Sequence, residues 1–274
     1  TNYNTAVGYR AGYVVTTGTQ NTLIGALAGD ALTGGGFSGT TRQAGGDYNT
    51  AIGFQTLSTD TLGNRSTAVG FEALRTQNFT SATDTYNTAL GFQAGAAVTT
   101  GEGNTFVGGL AGDGTDNGNV NTAVGYKALS ANCGDGNTAV GVEALNASTN
   151  NRNTALGYHA GRVMTGGDNN TVLGYESGLA ILGGHNNTFV GRSAGIAVNS
   201  GNYNTLVGVS AGDNITSGDS NIIIGQGIDA ASATADSQLN IGNWIKGDAG
   251  QITMPLQPAF SVTVAAEQTN IAVG

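Results

Sequence analysis

A short phrase of polar and apolar positions, Asn-Thr-apolar-aliphatic-Gly, returns about every 17 residues along most of this chain. It stands at Asn4–Gly8, Asn21–Gly25, Asn49–Gly53, Ser66–Gly70 (with Ser for Asn), Asn87–Gly91, Asn104–Gly108, Asn121–Gly125, Asn137–Gly141, Asn153–Gly157, Asn170–Gly174, Asn187–Gly191, Asn204–Gly208 and Asn221–Gly225, with a degenerate copy at Leu239–Gly242. Self-similarity at a fixed period marks a solenoid whose units contact only their neighbours. With each unit numbered from its Gly as position 0, position −1 is always aliphatic: Val7, Ile24, Ile52, Val69, Leu90, Val107, Val124, Val140, Leu156, Leu173, Val190, Val207 and Ile224. Position −2 is apolar too, from Ala6 through Leu23, Phe106 and Phe189 to Ile223. Val and Ile favour strands, and successive strand residues point to opposite faces. Two adjacent apolar positions therefore predict two buried faces, one inside the coil and one covered by copies of the same chain. The uniformly large −1 residues are read as the core column. Thr at −3 (Thr5, Thr22, Thr50 and onward) has the same parity and is expected to face inward with them.

The rest of each unit has its own grammar. Position +1 is often aromatic (Tyr9, Phe54, Phe71, Phe92, Tyr126, Tyr158, Tyr175), +2 mostly polar (Gln55, Glu72, Lys127, Glu143, His159, Glu176), +3 small, and +4 Gly or Leu. Recurrent Gly and β-branched −1 residues work against a helix. Each unit of 16–17 residues thus predicts one coil of an all-β, Gly-rich parallel β-solenoid of about 14 coils. Strand spacing of about 4.8 Å gives a rod of roughly 65 Å. Position −4 aligns Asn4, Asn21, Asn49, Asn87, Asn104, Asn121, Asn137, Asn153, Asn170, Asn187, Asn204 and Asn221 as an amide ladder. Asn tolerates left-handed geometry, so the same residue is expected to mark a corner. Gly at 0 predicts a positive φ or a close backbone approach.

The rhythm breaks twice. Gly25 to Gly53 is 28 residues and Gly70 to Gly91 is 21. Insertions in solenoids project as loops, often from the binding face. Phe37 and Arg42 in the first, and Asn78 and Phe79 in the second, are the candidate surface-contact residues. The repeat region covers residues 1–225. Residues 226–256 read as a connector, last coil and cap containing Trp244. Residues 257–274, beyond a proline-bearing boundary, read as the start of a following β domain or tail. Starting without Met and stopping in mid-pattern, the chain reads as a piece of a longer protein.

Composition narrows the function classes. Gly is 47 of 274 residues without a collagen period, charged residues are 10%, and net charge is −9. No basic cluster exists to neutralise phosphate, which argues against a nucleic-acid partner. No apolar run is long enough to insert in a membrane as a helix. Cys133 is the single cysteine, so no intrachain disulfide forms. His159 and His185 are the only histidines and read as surface residues. Glu72, Glu143 and Glu176 share position +2; Glu143 and Glu176, two coils apart, would sit roughly 10 Å apart, near the upper limit for an inverting glycosidase pair. Solvated side chains are the plainer reading, and no enzyme activity, cofactor or catalytic set is assigned. Gly45–Asn49 and Gly166–Asn170 have the look of Gly-Asp calcium turns, but neither continues as a calcium nonapeptide. The +1 aromatics could stack sugars, with packing as the alternative.

Units such as Asn121–Leu129 (NTAVGYKAL), Asn153–Gly161 (NTALGYHAG) and Ser66–Leu74 (STAVGFEAL), and the closing Leu239–Asp248 (LNIGNWIKGD), resemble the repeats of bacteriophage and prophage tail-fibre proteins. They are similar as well to the head repeats of trimeric autotransporter adhesins. The resemblance covers over 80% of the chain. It implies a left-handed β-roll, three chains associated in parallel, and an extracellular fibre of a phage or phage-like particle that presents a binding tip to a host receptor or glycan. Gln257–Val262 resembles the opening strand of trimeric jelly-roll heads, which would place such a tip beyond Gly274. Other fibre or particle proteins are then partners. The adhesin resemblance implies instead a bacterial cell-surface head that binds matrix or cells.

Overall fold

The computed structural model describes residues 2–34, 37–38, 41–42, 45–248 and 251–253. The chain is an all-β parallel solenoid of about 13 turns, and its described residues contain no helix. Each repeat contributes a three-residue strand, from Thr5–Val7 and Thr22–Ile24 to Thr205–Val207, Ile222–Ile224 and Leu239–Ile241. These strands line up in one 16-stranded sheet, parallel until its last two members. The register is strict: Thr105 faces Thr122, Phe106 faces Ala123, Val107 faces Val124, and the same match holds at every repeat. Ile245–Asp248 folds back antiparallel on Leu239–Ile241, Gln251–Thr253 pairs antiparallel with Ile245–Asp248 in turn, and the parallel stack ends there. Trp244, at the turn, stays 70% exposed rather than covering the core.

The strand sidedness reverses one expectation. Position −2 is the inward column: Leu23, Ala51, Ala68, Ala89, Phe106, Ala123, Ala139, Val172, Phe189, Leu206 and Ile223 are all fully buried. The −1 residues Val7, Ile24, Ile52, Val69, Leu90, Val107, Val124, Val140, Leu156, Leu173, Val190, Val207 and Ile224 point outward, half-buried or exposed, and Thr at −3 goes with them. The reason is volume. The coil interior also receives the +3 alanines, the +4 residue and an apolar side chain at +7, such as Leu32, Val98, Met164, Ile181, Val198 and Ile215. The −2 column varies in size with the +4 residue that shares its space: alanines flank Leu57, Leu74, Leu129 and Leu145, whereas Leu, Phe, Val or Ile stand beside a +4 glycine.

Two columns hold the coils in register. Gly at 0 has both properties read from its sequence position. Gly125 has φ +133°, and a Cβ there would lie 2.6 Å from the Gly141 carbonyl oxygen of the next coil. The Asn column at −4 is buried and ladders from coil to coil. Asn121 Oδ1 accepts the Asn137 backbone N–H at 2.8 Å, and its Nδ2 donates to the Gly134 carbonyl at 2.9 Å. Asn4, Asn104, Asn153, Asn187 and Asn204 repeat the arrangement. The corner does not fall on Asn, however. It falls one residue earlier, at −5, where Tyr48, Arg65 and Tyr86 take φ of 59°, 61° and 51°, and again at +2 and +4. Asn at −4 is held out of the turn because both ends of its amide are bonded to the neighbouring coil.

Where Ser66 interrupts the Asn column, the second insertion supplies a substitute. Gln77 Nε2 donates to Ser66 Oγ at 2.8 Å and to Asp60 Oδ2 at 2.6 Å, and its Oε1 accepts from Asn87 at 2.9 Å. Asp60 Oδ1 also accepts the Gly63 and Phe79 N–H groups. Phe79 is only 6% exposed, so it is an anchor of the insertion and not a surface contact; Asn78 beside it is exposed. Thr83–Asp84 pairs in parallel with Gly63–Asn64. In the first insertion, Phe37–Ser38 pairs antiparallel with Thr41–Arg42; the side chains of Phe37 and Arg42 lie outside the described structure, as do residues 257–274.

Candidate functional site

The outward side of the sheet is a candidate surface that runs along the repeat. It carries two files one residue apart from the core column, Thr at −3 and aliphatics at −1, with no charged residue at either position in any repeat. Leu90 and Leu156 are 49% and 51% exposed. Adjacent to it runs the +1 column. Phe54, Phe71 and Phe92 stack ring on ring at 5.5 and 5.3 Å, and Tyr158 stacks on Tyr175 at 5.4 Å, all with near-parallel planes. These rings cover one another's faces and expose their edges, so within the stacks few faces remain for a sugar. The array is an apolar band with regular spacing, suited to a second surface of the same period.

The +2 column gathers the candidate titratable residues, held at the corner with φ near 55°. His159 stands between the two carboxylates considered as a pair: its Nε2 lies 3.3 Å from Glu143 and its Nδ1 3.8 Å from Glu176. Arg162 Nε sits 2.7 Å from the same Glu143 oxygen. The ring of Tyr158 packs on the imidazole with centroids 3.7 Å apart. This is a polar ladder across three coils: the space between the carboxylates, which an inverting hydrolase leaves for water, holds an imidazole. Glu72, far along the rod, accepts from Gln93 at 2.8 Å and stands 3.9 Å from Arg75.

Among the described residues no group of three or more His, Cys, Asp or Glu is placed to hold a metal ion. The aspartates of the two Gly-Asp turns spend their oxygens on backbone: Asp47 Oδ1 accepts the Thr19 N–H at 2.7 Å and Asp168 Oδ1 the Asn151 N–H at 2.9 Å. Cys133 is buried, 3.3 Å from Thr115 Oγ1, and burial pushes its thiol up from the ordinary range. A protonated thiol is a poor nucleophile.

A third ladder, at position −6, is absent from the sequence reading. Asp47 and Asn64, and then Asn119, Asp135, Asn151, Asp168, His185, Asn202, Asp219 and Asp236, stand there, and each accepts the backbone N–H of the coil before it. His185 accepts through Nδ1 at 2.9 Å. The signal was present as a short acceptor two residues before the −4 Asn, but the mix of Asn, Asp and His hides it from an inspection by residue identity. No family model, no curated protein and no solved structure matches this chain.

Proposed function

We propose that the chain is the shaft of an extracellular fibre of a phage or phage-like particle, built from three parallel copies as a left-handed β-roll, and that it holds a receptor- or glycan-binding tip away from the particle. The observation that carries this reading is the outward Thr–aliphatic face: it is uncharged at −3 and −1, apolar at one of its two files, and runs the length of the repeat. Monomeric soluble proteins rarely expose a contiguous apolar patch of more than a few hundred Å². Sister chains of identical period cover it economically, since the rungs of each copy repeat at the same spacing. The function is mechanical and multivalent. Backbone and side-chain ladders from coil to coil stiffen the rod, and three tips held together turn weak contacts into avidity.

The stacked rings at +1 favour a second reading, a trimeric adhesin head whose flank itself binds matrix or cells. Immunogold microscopy of the producing culture, with antibody raised against this chain, separates the two. Gold on particle tails is the expected result. Gold on the bacterial outer surface would favour the adhesin, and gold confined to the cytoplasm would contradict both.

A further inference from the structure

We propose that the cleft over Gly103 is a guanidinium site that takes an arginine side chain of a partner protein. In the −5 column, successive coils present Tyr48, Arg65, Tyr86, Gly103 and Val120. In the first part of this file the chain fills its own slot. The Arg65 guanidinium lies 5.4 Å from the Tyr48 ring centre and 5.7 Å from that of Tyr86. Its Nη1 donates to the Tyr86 hydroxyl at 3.2 Å, and its Nε is 3.3 Å from Asp84 Oδ1. A planar cation between aromatic faces, with a carboxylate at its edge, is thus a structure this corner already builds.

One coil further on, the equivalent position has no side chain. Gly103 floors a cleft of about 280 Å³ bounded by the far side of Tyr86 and by Val120, with Asp84, Glu102 and Asn119 at its rim. Tyr86 is 58% exposed. Val120 is close over Gly103, 3.1 Å from where a Cβ would stand, while no atom of Tyr86 comes nearer than 3.8 Å to that point. The open volume therefore lies on the aromatic side. Tyr86 and Val120 are two coils apart, about 9.6 Å. A flat group between them comes within about 6 Å of the ring centre, the range of a cation–π contact.

The rim supplies the charge. The −6 ladder is broken here: the hydroxyl of Thr85 and the long side chain of Glu102 take the place of the short acceptors found in later coils. Glu102 makes no side-chain hydrogen bond or ion pair among the described residues, and its carboxylate is exposed at the mouth of the cleft. Asp84 Oδ1 is already engaged by Arg65 and by Asn64 Nδ2. Guanidinium is flat, weakly hydrated and able to lie on a ring while its edge binds a carboxylate, whereas an ammonium is a compact, strongly hydrated point charge. Arginine therefore fits this slot better than lysine does. The proposal does not depend on how many copies of the chain associate.

The test uses the full chain labelled with 3-fluorotyrosine, the Tyr86 resonance being the one that disappears in Tyr86→Phe. The chain is titrated with arginine amide, lysine amide at matched ionic strength, and methyl glucoside. Arginine amide should shift the Tyr86 line saturably and about threefold more tightly than lysine amide, the size of an exposed cation–π preference. Glu102→Gln should weaken the arginine response by a similar factor. Gly103→Arg should abolish it by filling the slot from within; the same corner position already holds Arg65 and Arg152 at φ of 61° and 55°, so the fold admits the residue. No saturable shift, equal responses to the two amides, a stronger response to the glucoside, or a response that survives Gly103→Arg would each overturn the proposal.

Discussion

At position +4 the twelve coils from Gly8 to Gly208 carry either glycine or leucine, and the −2 residues above and below decide which. Leu57, Leu74, Leu129 and Leu145 occur where the −2 residues of their own coil and the next are both alanine. Gly12, Gly29, Gly95, Gly112, Gly161, Gly178, Gly195 and Gly212 occur where at least one of the two is Leu, Phe, Val or Ile. The structure supplies the cause: a Cβ on Gly112 would run into the Phe106 ring, and one on Gly212 would lie 2.8 Å from Leu206 Cδ2. The leucines accept φ near 50° to fill the volume that alanine leaves. Such a left-handed residue costs roughly 1–2 kcal/mol, less than a large cavity would. Phe106→Ala alone is expected to destabilise by about 3–5 kcal/mol, and Gly112→Leu alone to overpack the coil. Combined, they rebuild the arrangement at Leu129, and the double variant should be more stable than the sum of the two by over about 1 kcal/mol in thermal unfolding. Strict additivity would mean that the two positions do not share one volume.

This complementarity also explains what could be read in the sequence and what could not. The period, the small +3 residues, the Gly column and the Asn ladder follow from identity alone, because each position admits few residue types. The side of the strand that faces inward does not. In Thr-Ala-Val both Ala and Val are apolar, and the larger, more uniform residue looks like core. The inward column is instead the one whose size varies in step with +4, as Ala139 does with Leu145 and Phe189 with Gly195. The outward −1 column varies without regard to either. The Gly103 cleft was hidden for another reason: it is an omission, visible only once Tyr86, Gly103 and Val120 are neighbours in space.

At the scale of the element, three-residue strands are too short to hold register by backbone pairing alone, and the side-chain ladders supply the rest. Asn121→Ala removes one acceptor and one donor from a fully buried site, leaves the Asn137 N–H unpaired, and leaves the Gly134 carbonyl with only a long 3.4 Å bond from Asn137 Nδ2. A loss of about 2–3 kcal/mol is expected from denaturant unfolding. Asn121→Asp should be worse, since it turns a carboxylate oxygen toward that carbonyl. The insertion held by Asp60 responds to pH. Burial raises the Asp60 carboxyl above its ordinary value, against the hydrogen bonds from Gln77, Phe79 and Gly63 that lower it. Its folded value thus exceeds its unfolded one, near 3.9. The stability it contributes is present in full below that unfolded value and is lost as pH rises through the folded one. Melting curves of the native chain and Asp60→Asn should therefore diverge in favour of the native chain as pH falls toward 4. A gap that narrows on acidification would contradict the account.

For the whole molecule, the decisive feature is a rod whose coil interior is filled by its own side chains and whose sheet turns an uncharged, partly aliphatic face outward. A single copy leaves Leu90 and Leu156 about half exposed; an assembly of sister chains would cover them. Leu90→Lys with Leu156→Lys should dissociate the assembly while leaving the far-ultraviolet circular dichroism of the coils unchanged, because neither side chain enters the coil interior. Loss of the β signal would mean that these residues support the coil itself. The most direct measurement is the sedimentation-equilibrium mass of the native chain at micromolar concentration. The account predicts the mass of three chains; a stable, monodisperse single chain, with its aliphatic face open to water, would contradict it.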